Sequence, residues 1–535
     1  MKRLVLALLV VVLLGALALP AGSVPERQSG SVPERHGRGK PKPSTTTTTT
    51  TWPPLPAFDP ALVWTDCGGG FQCGTLTVPT DWTGSVSERG AGGSPGDTVP
   101  LALIRHPAES PADRIGSLVV NYGGPGESGV DYLHATWSRL PAVVRARFDV
   151  VSFDPRGTGA SRPVDCVDDA FLDFGNAVAP VPTTAAQLDL VHRYNEQFAA
   201  GCVQRMGAYA TELGTRNVAR DLEAIRIALG EPKLDYLGYS YGTIVGATYA
   251  QMFPTTIRTM VLDGPPDYWL RARDYAYQQA RGFMNALSGF LDWCDQSHCS
   301  LASGGSSRDL LQQLIARVNE APLPATYTVN GVTREGTLTP SLLESAVLSM
   351  LYDRSRGWPI LADSLARAVQ GGSGAALLQL ADQYLRRNPD GTWQPVVEAN
   401  AVISCVDRPA KKVPGAAAEL ADVAAFEAEL PPWGGAWGTA VCVGMPKPAK
   451  GDVLGDVTVR GTPPILVIGT TGDPATPYAG AQSMVGRIAG SQLLTFDSIE
   501  HTAYGRAIST CIDDAVDTYL VSGVLPAVGA HCAPD

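Results

Sequence analysis

Gly238-Tyr239-Ser240-Tyr241-Gly242 is the residue pattern in this chain with the most specific chemical meaning. A serine hydroxyl is a weak nucleophile until a base takes its proton, and the base must itself be oriented by a carboxylate. The pattern follows a short apolar run at 234–237 and opens an expected helix at 243–252. A G-x-S-x-G segment in that context is a sharp strand-to-helix turn that lifts the hydroxyl out of a sheet. In that setting the chain order is Ser, then Asp or Glu, then His. Seven histidines compete for the role of base. His36 lies in a low-complexity stretch, and His106, His134 and His192 precede the serine. His298 sits in the short Cys294/Cys299 loop, and His531 adjoins Cys532 near the end. His501 follows an expected strand at 493–496 and precedes a closing helix at 508–521, where such a base belongs. Asp473, in Gly472-Asp473-Pro474 just past an expected strand at 465–468, is the candidate carboxylate. Asp497 is a rival whose place at a strand end reads as structural. Thr476 can hydrogen-bond near Asp473 and steady its loop.

Acyl transfer also needs N–H donors for the oxygen that becomes negative. The N–H of Tyr241 is one candidate. Gly123-Gly124-Pro125-Gly126, after an apolar run at 117–121, offers the other, with Gly124 favoured. Such glycines can also cradle phosphate, but no Lys-Ser/Thr follows them, which excludes a P-loop.

These residues must be held by a scaffold, and the surrounding pattern describes one. Apolar runs at 117–121, 148–153, 234–237, 260–262, 465–468 and 493–496 read as short buried strands. Val218, Leu222, Ile225 and Leu229 recur at intervals of four, three and four, which marks an amphipathic helix stopped by Gly230. Strands alternating with helices imply a mostly parallel sheet covered on both faces. The alternation breaks between residues 266 and 450, where Leu310, Leu311, Leu314 and Val318 show helical spacing. The expected fold is α/β, of the α/β-hydrolase type. Its core comes in two parts, 57–265 and 451–535, separated by a large, mainly helical cap at 266–450.

Bulk properties bound the rest. The chain has 535 residues, 44% hydrophobic and 17% charged, as in a globular protein. Its net charge of -11 gives no electrostatic case for binding nucleic acid. Lys2 and Arg3 precede an apolar run at 4–19 and then Pro20-Ala21-Gly22, so residues 1–22 read as a signal peptide. The run is short for a span of about 20 residues. An uncleaved anchor is the competing reading, and no stable membrane span is expected after cleavage. Residues 23–56 carry a doubled SVPER, a basic Pro-rich piece and a Thr run, and read as a disordered linker or an envelope spacer. Ten cysteines suit an exported, disulfide-bonded protein, secreted or associated with the cell envelope. Short separations favour Cys67 with Cys73 and Cys294 with Cys299. The series continues as Cys166 with Cys202, Cys405 with Cys442 and Cys511 with Cys532. A zinc site is the poorer reading, because no two CxxC pairs occur. The chemistry expected of Ser240 needs no metal or organic cofactor.

Four segments in order resemble one family: Gly123-Gly124-Pro125-Gly126-Glu127-Ser128-Gly129, Asp154-Pro155-Arg156-Gly157-Thr158-Gly159-Ala160-Ser161, Gly238 to Gly242, and Gly472-Asp473-Pro474-Ala475-Thr476-Pro477. They are similar to the secreted tripeptidyl aminopeptidases of actinobacteria, relatives of proline iminopeptidase. The resemblance runs from about Trp64 to the C-terminus, through Ala401-Val402-Ile403-Ser404-Cys405 and a TAP-like C-terminal region. It implies a serine exopeptidase that releases short peptides, of tripeptide size, from free N-termini. It also implies cap carboxylates for the substrate ammonium, for which Glu398 and Asp407 are candidates. Tyr122 stands where proline iminopeptidases commonly have His, which argues against strict prolyl specificity. A carboxylesterase or lipase with the same three residues is the first alternative. A catalytically silent hydrolase-fold binding protein is the second.

Overall fold

The structure is a computed structural model that describes residues 52, 54–83, 97–409, 415–439, 442–448 and 452–535. The expected signal peptide and most of the expected linker lie outside the described residues. At the end of that linker, Trp52 and Leu55 already pack against the core, and Arg216 lies 4.9 Å over the Trp52 ring. Both Trp52 and Leu55 are half-buried there.

Among the described residues, twelve strands run in chain order. They are β1 (Thr65–Gly68), β2 (Phe71–Pro79), β3 (Thr98–His106), β4 (Gly116–Asn121), β5 (Phe148–Phe153), β6 (Leu234–Tyr239), β7 (Ile257–Asp263), β8 (Leu323–Val329), β9 (Val332–Leu338), β10 (Leu466–Thr470), β11 (Gln492–Phe496) and β12 (His531–Cys532). Ten form one sheet in the order β1-β2-β3-β5-β4-β6-β7-β10-β11-β12. Strands β1, β2 and β3 pair antiparallel, as β3 does with β5; from β5 onward every pairing is parallel. The chain crosses over between β4 and β5, with helices covering both faces, and this is the α/β-hydrolase fold. Strands β4, β5, β6 and β10 are buried along their whole length, which explains why they read as unbroken apolar runs.

The long segment between β7 and β10 does not form one body. Helices Ala272–Ser297, Ser307–Glu320, Pro340–Leu351 and Gly357–Gly371 share an apolar cluster of their own, with Phe290, Leu314, Val347 and Trp358 at its centre. It also holds an unexpected hairpin, β8–β9, closed by Asn330-Gly331 with both residues at positive φ. Helix Val396–Asp407 packs instead into the main core through Val402, Ile403 and Val406. The five disulfides pair as expected: Cys67–Cys73 and Cys294–Cys299, which their short separations favoured, and Cys166–Cys202, Cys405–Cys442 and Cys511–Cys532.

The Asp154–Ser161 segment, which follows β5, is a junction. Asp154 accepts from Ser128 Oγ, Val130 N and Ala160 N, tying the segment to the glycine turn after β4. Arg156 is fully buried and uses all five of its N–H donors. Two go to Asp221 at 2.7 Å each, and the others to the carbonyls of Pro79, Thr80 and Glu212. A lysine has no planar fork to fill these five positions. Arg156→Lys, which keeps the charge but leaves some of these acceptors without a donor, is therefore expected to lower stability by about 1–3 kcal/mol. Urea unfolding followed by circular dichroism measures it, and a loss below about 0.5 kcal/mol, the range of an ordinary surface change, would contradict the role given to this network.

Candidate active site

Ser240 stands between β6 and helix Gly242–Met252 with a φ of 53°, a left-handed conformation that a residue with a Cβ adopts only under constraint. The constraint is local. The Ser240 N–H donates to the carbonyl of Asp263 at 2.9 Å, and the Ser240 carbonyl accepts from Thr243 N and Thr243 Oγ1. Flanking glycines are required by close approach. A Cβ on Gly242 would lie 2.5 Å from the Asn121 carbonyl oxygen, and one on Gly123 would lie 2.6 Å from that of Tyr239. The glycine turn after β4 is thus pressed against the serine turn after β6. In that turn the Gly123 N–H is taken by Asn121 Oδ1 at 3.0 Å. The next N–H, that of Gly124, is left as a candidate donor. Tyr241 begins the helix, where backbone N–H groups have no partner within the helix. Gly124, Ser240, Tyr241 and His501 line the same cavity.

His501 Nδ1 lies 2.9 Å from both carboxylate oxygens of Asp473. Asp473 is buried and also accepts from Ala475 N at 2.9 Å, Thr476 N at 2.8 Å and Thr476 Oγ1 at 3.0 Å. The turn after β10 thus wraps its own carboxylate in donors, and Thr476 takes the steadying position expected of it. Asp497 pairs with His531 instead, Oδ2 to Nδ1 at 3.0 Å. The cap holds the imidazole from the other side. The backbone N–H of His501 donates to the Tyr352 carbonyl at 3.0 Å, and the Tyr352 ring meets the imidazole edge-on at 5.2 Å. An imidazole bound through Nδ1 to a carboxylate, with its other nitrogen free, can accept a proton from a hydroxyl presented to it.

The cavity is about 770 Å³ and strongly aromatic, with Tyr132, Tyr268, Tyr275, Tyr352, Phe283 and Trp437 among its walls. That is enough for several peptide residues. Tyr122 also reaches it, stacked between Tyr132 at 5.2 Å and Tyr239 at 5.8 Å.

Residues 430–532 match the family model described as TAP-like protein. Serine protease Hip1 of Mycobacterium tuberculosis is 35% identical over 497 residues, 89% of this chain and 92% of that protein. Tripeptidyl aminopeptidase of Streptomyces lividans is 31% identical over 497 residues, 88% of this chain and 86% of that protein. The chain belongs to this family of α/β-hydrolases. Carboxylesterase B of Mycobacterium tuberculosis, 32% identical over 86% of both chains, is a relative with an esterase name.

As a member of this family the chain departs from one expectation of its sequence. Glu398 and Asp407 do not face the cavity. Glu398 is buried and accepts from the N–H groups of Cys166 and Val167, at 2.8 and 3.0 Å. Asp407 is buried against Thr215 N at 2.7 Å, Thr215 Oγ1 at 2.5 Å and Tyr241 OH at 3.4 Å. Both hold helix Val396–Asp407 to the core, Glu398 through Oε1 and Asp407 through both of its oxygens. The carboxylate on the cavity wall is Glu127, the residue after the glycine turn, whose two oxygens each lie 3.2 Å from Arg386 Nη2.

Asp263, at the end of β7, escaped the sequence reading. Its carboxylate accepts from Ala503 N and Tyr504 N at 2.9 Å each, while its carbonyl holds the Ser240 N–H. One residue therefore fixes both the serine turn and the loop that carries His501. Burial pushes its carboxyl up from 3.8 to about 6, against the pull of the two N–H groups. The folded protein thus holds a proton that the unfolded chain releases, so this group's contribution to stability falls as pH rises from about 4 to about 6. Asp263→Asn removes that slope and turns an amide toward two N–H donors. Its melting temperature is expected to vary less than wild type's across that pH window. Its kcat/KM is expected to fall by about tenfold to a hundredfold, as for a displaced catalytic loop. Unchanged values of both would contradict the positioning role.

Proposed function

We propose that the protein is a serine exopeptidase that releases short peptides, of about tripeptide length, from free N-termini outside the cytoplasm. Ser240 Oγ attacks the scissile carbonyl while His501 takes its proton and then gives it to the leaving amine. Asp473 holds the imidazole in the required tautomer and stabilises its charged form. The N–H groups of Tyr241 and Gly124 receive the oxyanion. Water, activated by the same imidazole, hydrolyses the acyl-enzyme and regenerates Ser240.

The observation that carries this reading is the strained Ser240 turn opening into the same cavity as His501, with the imidazole bound to Asp473 at 2.9 Å. Peptide specificity is supported by the relatives named as serine protease and tripeptidyl aminopeptidase. Five disulfides support an oxidising compartment, and among the described residues no helix is long and apolar enough to cross a membrane. An ammonium entering the cavity meets a wall of aromatic faces, which attract cations. The carboxylesterase-named relative favours a second reading, ester hydrolysis by the same three residues.

Turnover of chromogenic tripeptides with free and N-acetylated termini, beside a short nitrophenyl ester, separates the two. Wild type is expected to cleave the free peptide and to lose nearly all of that activity on the acetylated one. Ser240→Ala is expected to lose about a thousandfold or more in kcat. Ester cleavage with no peptide cleavage would move the assignment to esterase.

A further inference from the structure

The cavity wall carries more positive than negative charge. Glu127 is the carboxylate among the lining residues, and Arg386 and Arg408 are the two guanidinium groups. Glu127 and Arg386 neutralise each other, with both carboxylate oxygens 3.2 Å from one nitrogen. Arg408 has no such partner. Its guanidinium lies 4.1 Å over the Tyr275 ring and 5.1 Å over that of Tyr268, and its Nη2 reaches the Leu270 carbonyl at 3.4 Å. No carboxylate of a described residue forms an ion pair with it. Asp407, its neighbour in the chain, has its oxygens taken by Thr215 and Tyr241.

Its position is fixed relative to the chemistry. Tyr268, beneath the guanidinium, packs edge-on at 6.0 Å against Tyr241, the residue after Ser240. Arg408 directly follows helix Val396–Asp407, which Asn400 anchors to the glycine turn through the Pro125 carbonyl at 3.0 Å. Stacking on two aromatic rings holds a guanidinium in place while leaving its edge and its remaining N–H donors for a ligand. A planar fork of this kind matches a carboxylate.

We propose that Arg408 is a specificity residue that binds a carboxylate of the peptide substrate, through a side chain or the free C-terminus. The inference rests on the peptidase reading above. Both carboxylate sources offer the same planar pair of oxygens, and matched peptides distinguish them. One pair is tetra-alanine with a free C-terminus against its C-terminal amide. The other set is the amidated peptide with Glu or Gln placed at each position in turn. Binding is measured by calorimetry on Ser240→Ala, so that turnover is not needed.

At least one acidic peptide is expected to bind Ser240→Ala about tenfold more tightly than its neutral partner, the scale of one charge-assisted contact. The gap should shrink at high salt, because the site opens to solvent. It should vanish when R408Q is added and narrow to about threefold with R408K, which keeps the charge but not the fork. The pair that shows the gap identifies the source of the carboxylate. Melting curves of each variant establish that it is folded, and R408K serves if R408Q does not fold. Equal binding or no binding of acidic and neutral peptides overturns the proposal, as does a full gap in both Arg408 variants. A binding gap without wild-type turnover of any peptide would count against the peptidase reading while leaving the carboxylate site standing.

Discussion

Ser240 holds a backbone φ of 53°, and much of the surrounding structure serves to keep it there. The turn is tight because β6 runs straight into helix Gly242–Met252 and the glycine turn after β4 presses on it from the side. Gly123 and Gly242 leave no room for a Cβ at those contacts. Parallel pairing of β4, β6 and β7 sets these turns next to one another at the same edge of the sheet. The Asp263 carbonyl, at the end of β7, then takes the Ser240 N–H. A strained turn survives only where neighbours over-determine it, and here three adjacent strand ends do so.

Asp473 and His501 reach this turn from the far end of the chain, beyond the long inserted segment between β7 and β10. Strand β10 brings Asp473 beside β7, and β11 delivers the loop of His501. The insertion takes part in the site. Tyr352 receives the His501 N–H, and Asp353 and Glu500 both pair with Arg506, at 2.7 and 3.4 Å, below the imidazole. Helix Val396–Asp407 is fastened to the main core by Glu398 and Asp407 and contributes Asn400 and Ser404 to the cavity wall, with Arg408 just beyond its end. The inserted segment thus lines the cavity and holds the loop that carries His501.

How much of this was readable in the sequence depends on how local each feature is. Histidine is scarce, and chain order leads from Ser240 to Asp473 and His501, whose contact is a property of two adjacent strand ends. Unbroken apolar runs mark the buried parallel strands, and short separations mark two of the disulfides, Cys67–Cys73 and Cys294–Cys299. The hairpin β8–β9 had a local signal, Asn330-Gly331 between alternating residues, that was masked by the helical spacing around it. Glu398 and Asp407 misled because a carboxylate's role follows from what lies across from it. Their partners, Cys166, Val167 and Thr215, are roughly two hundred residues away in the chain. Asp263 and Arg408 went unnoticed for the same reason. One looks like an ordinary strand-end Asp-Gly and the other like an ordinary Arg after a helix, until the fold supplies the Ser240 turn and the two tyrosine rings.

The central claim is that Ser240 is made nucleophilic by His501 held against Asp473. The most direct measurement is the rate and site of labelling by a fluorophosphonate, followed by intact mass and peptide mapping. One adduct, on Ser240, is expected. His501→Gln is then expected to slow labelling by about a thousandfold or more. An adduct on any other residue, or a His501→Gln variant that reacts at the wild-type rate, would contradict it.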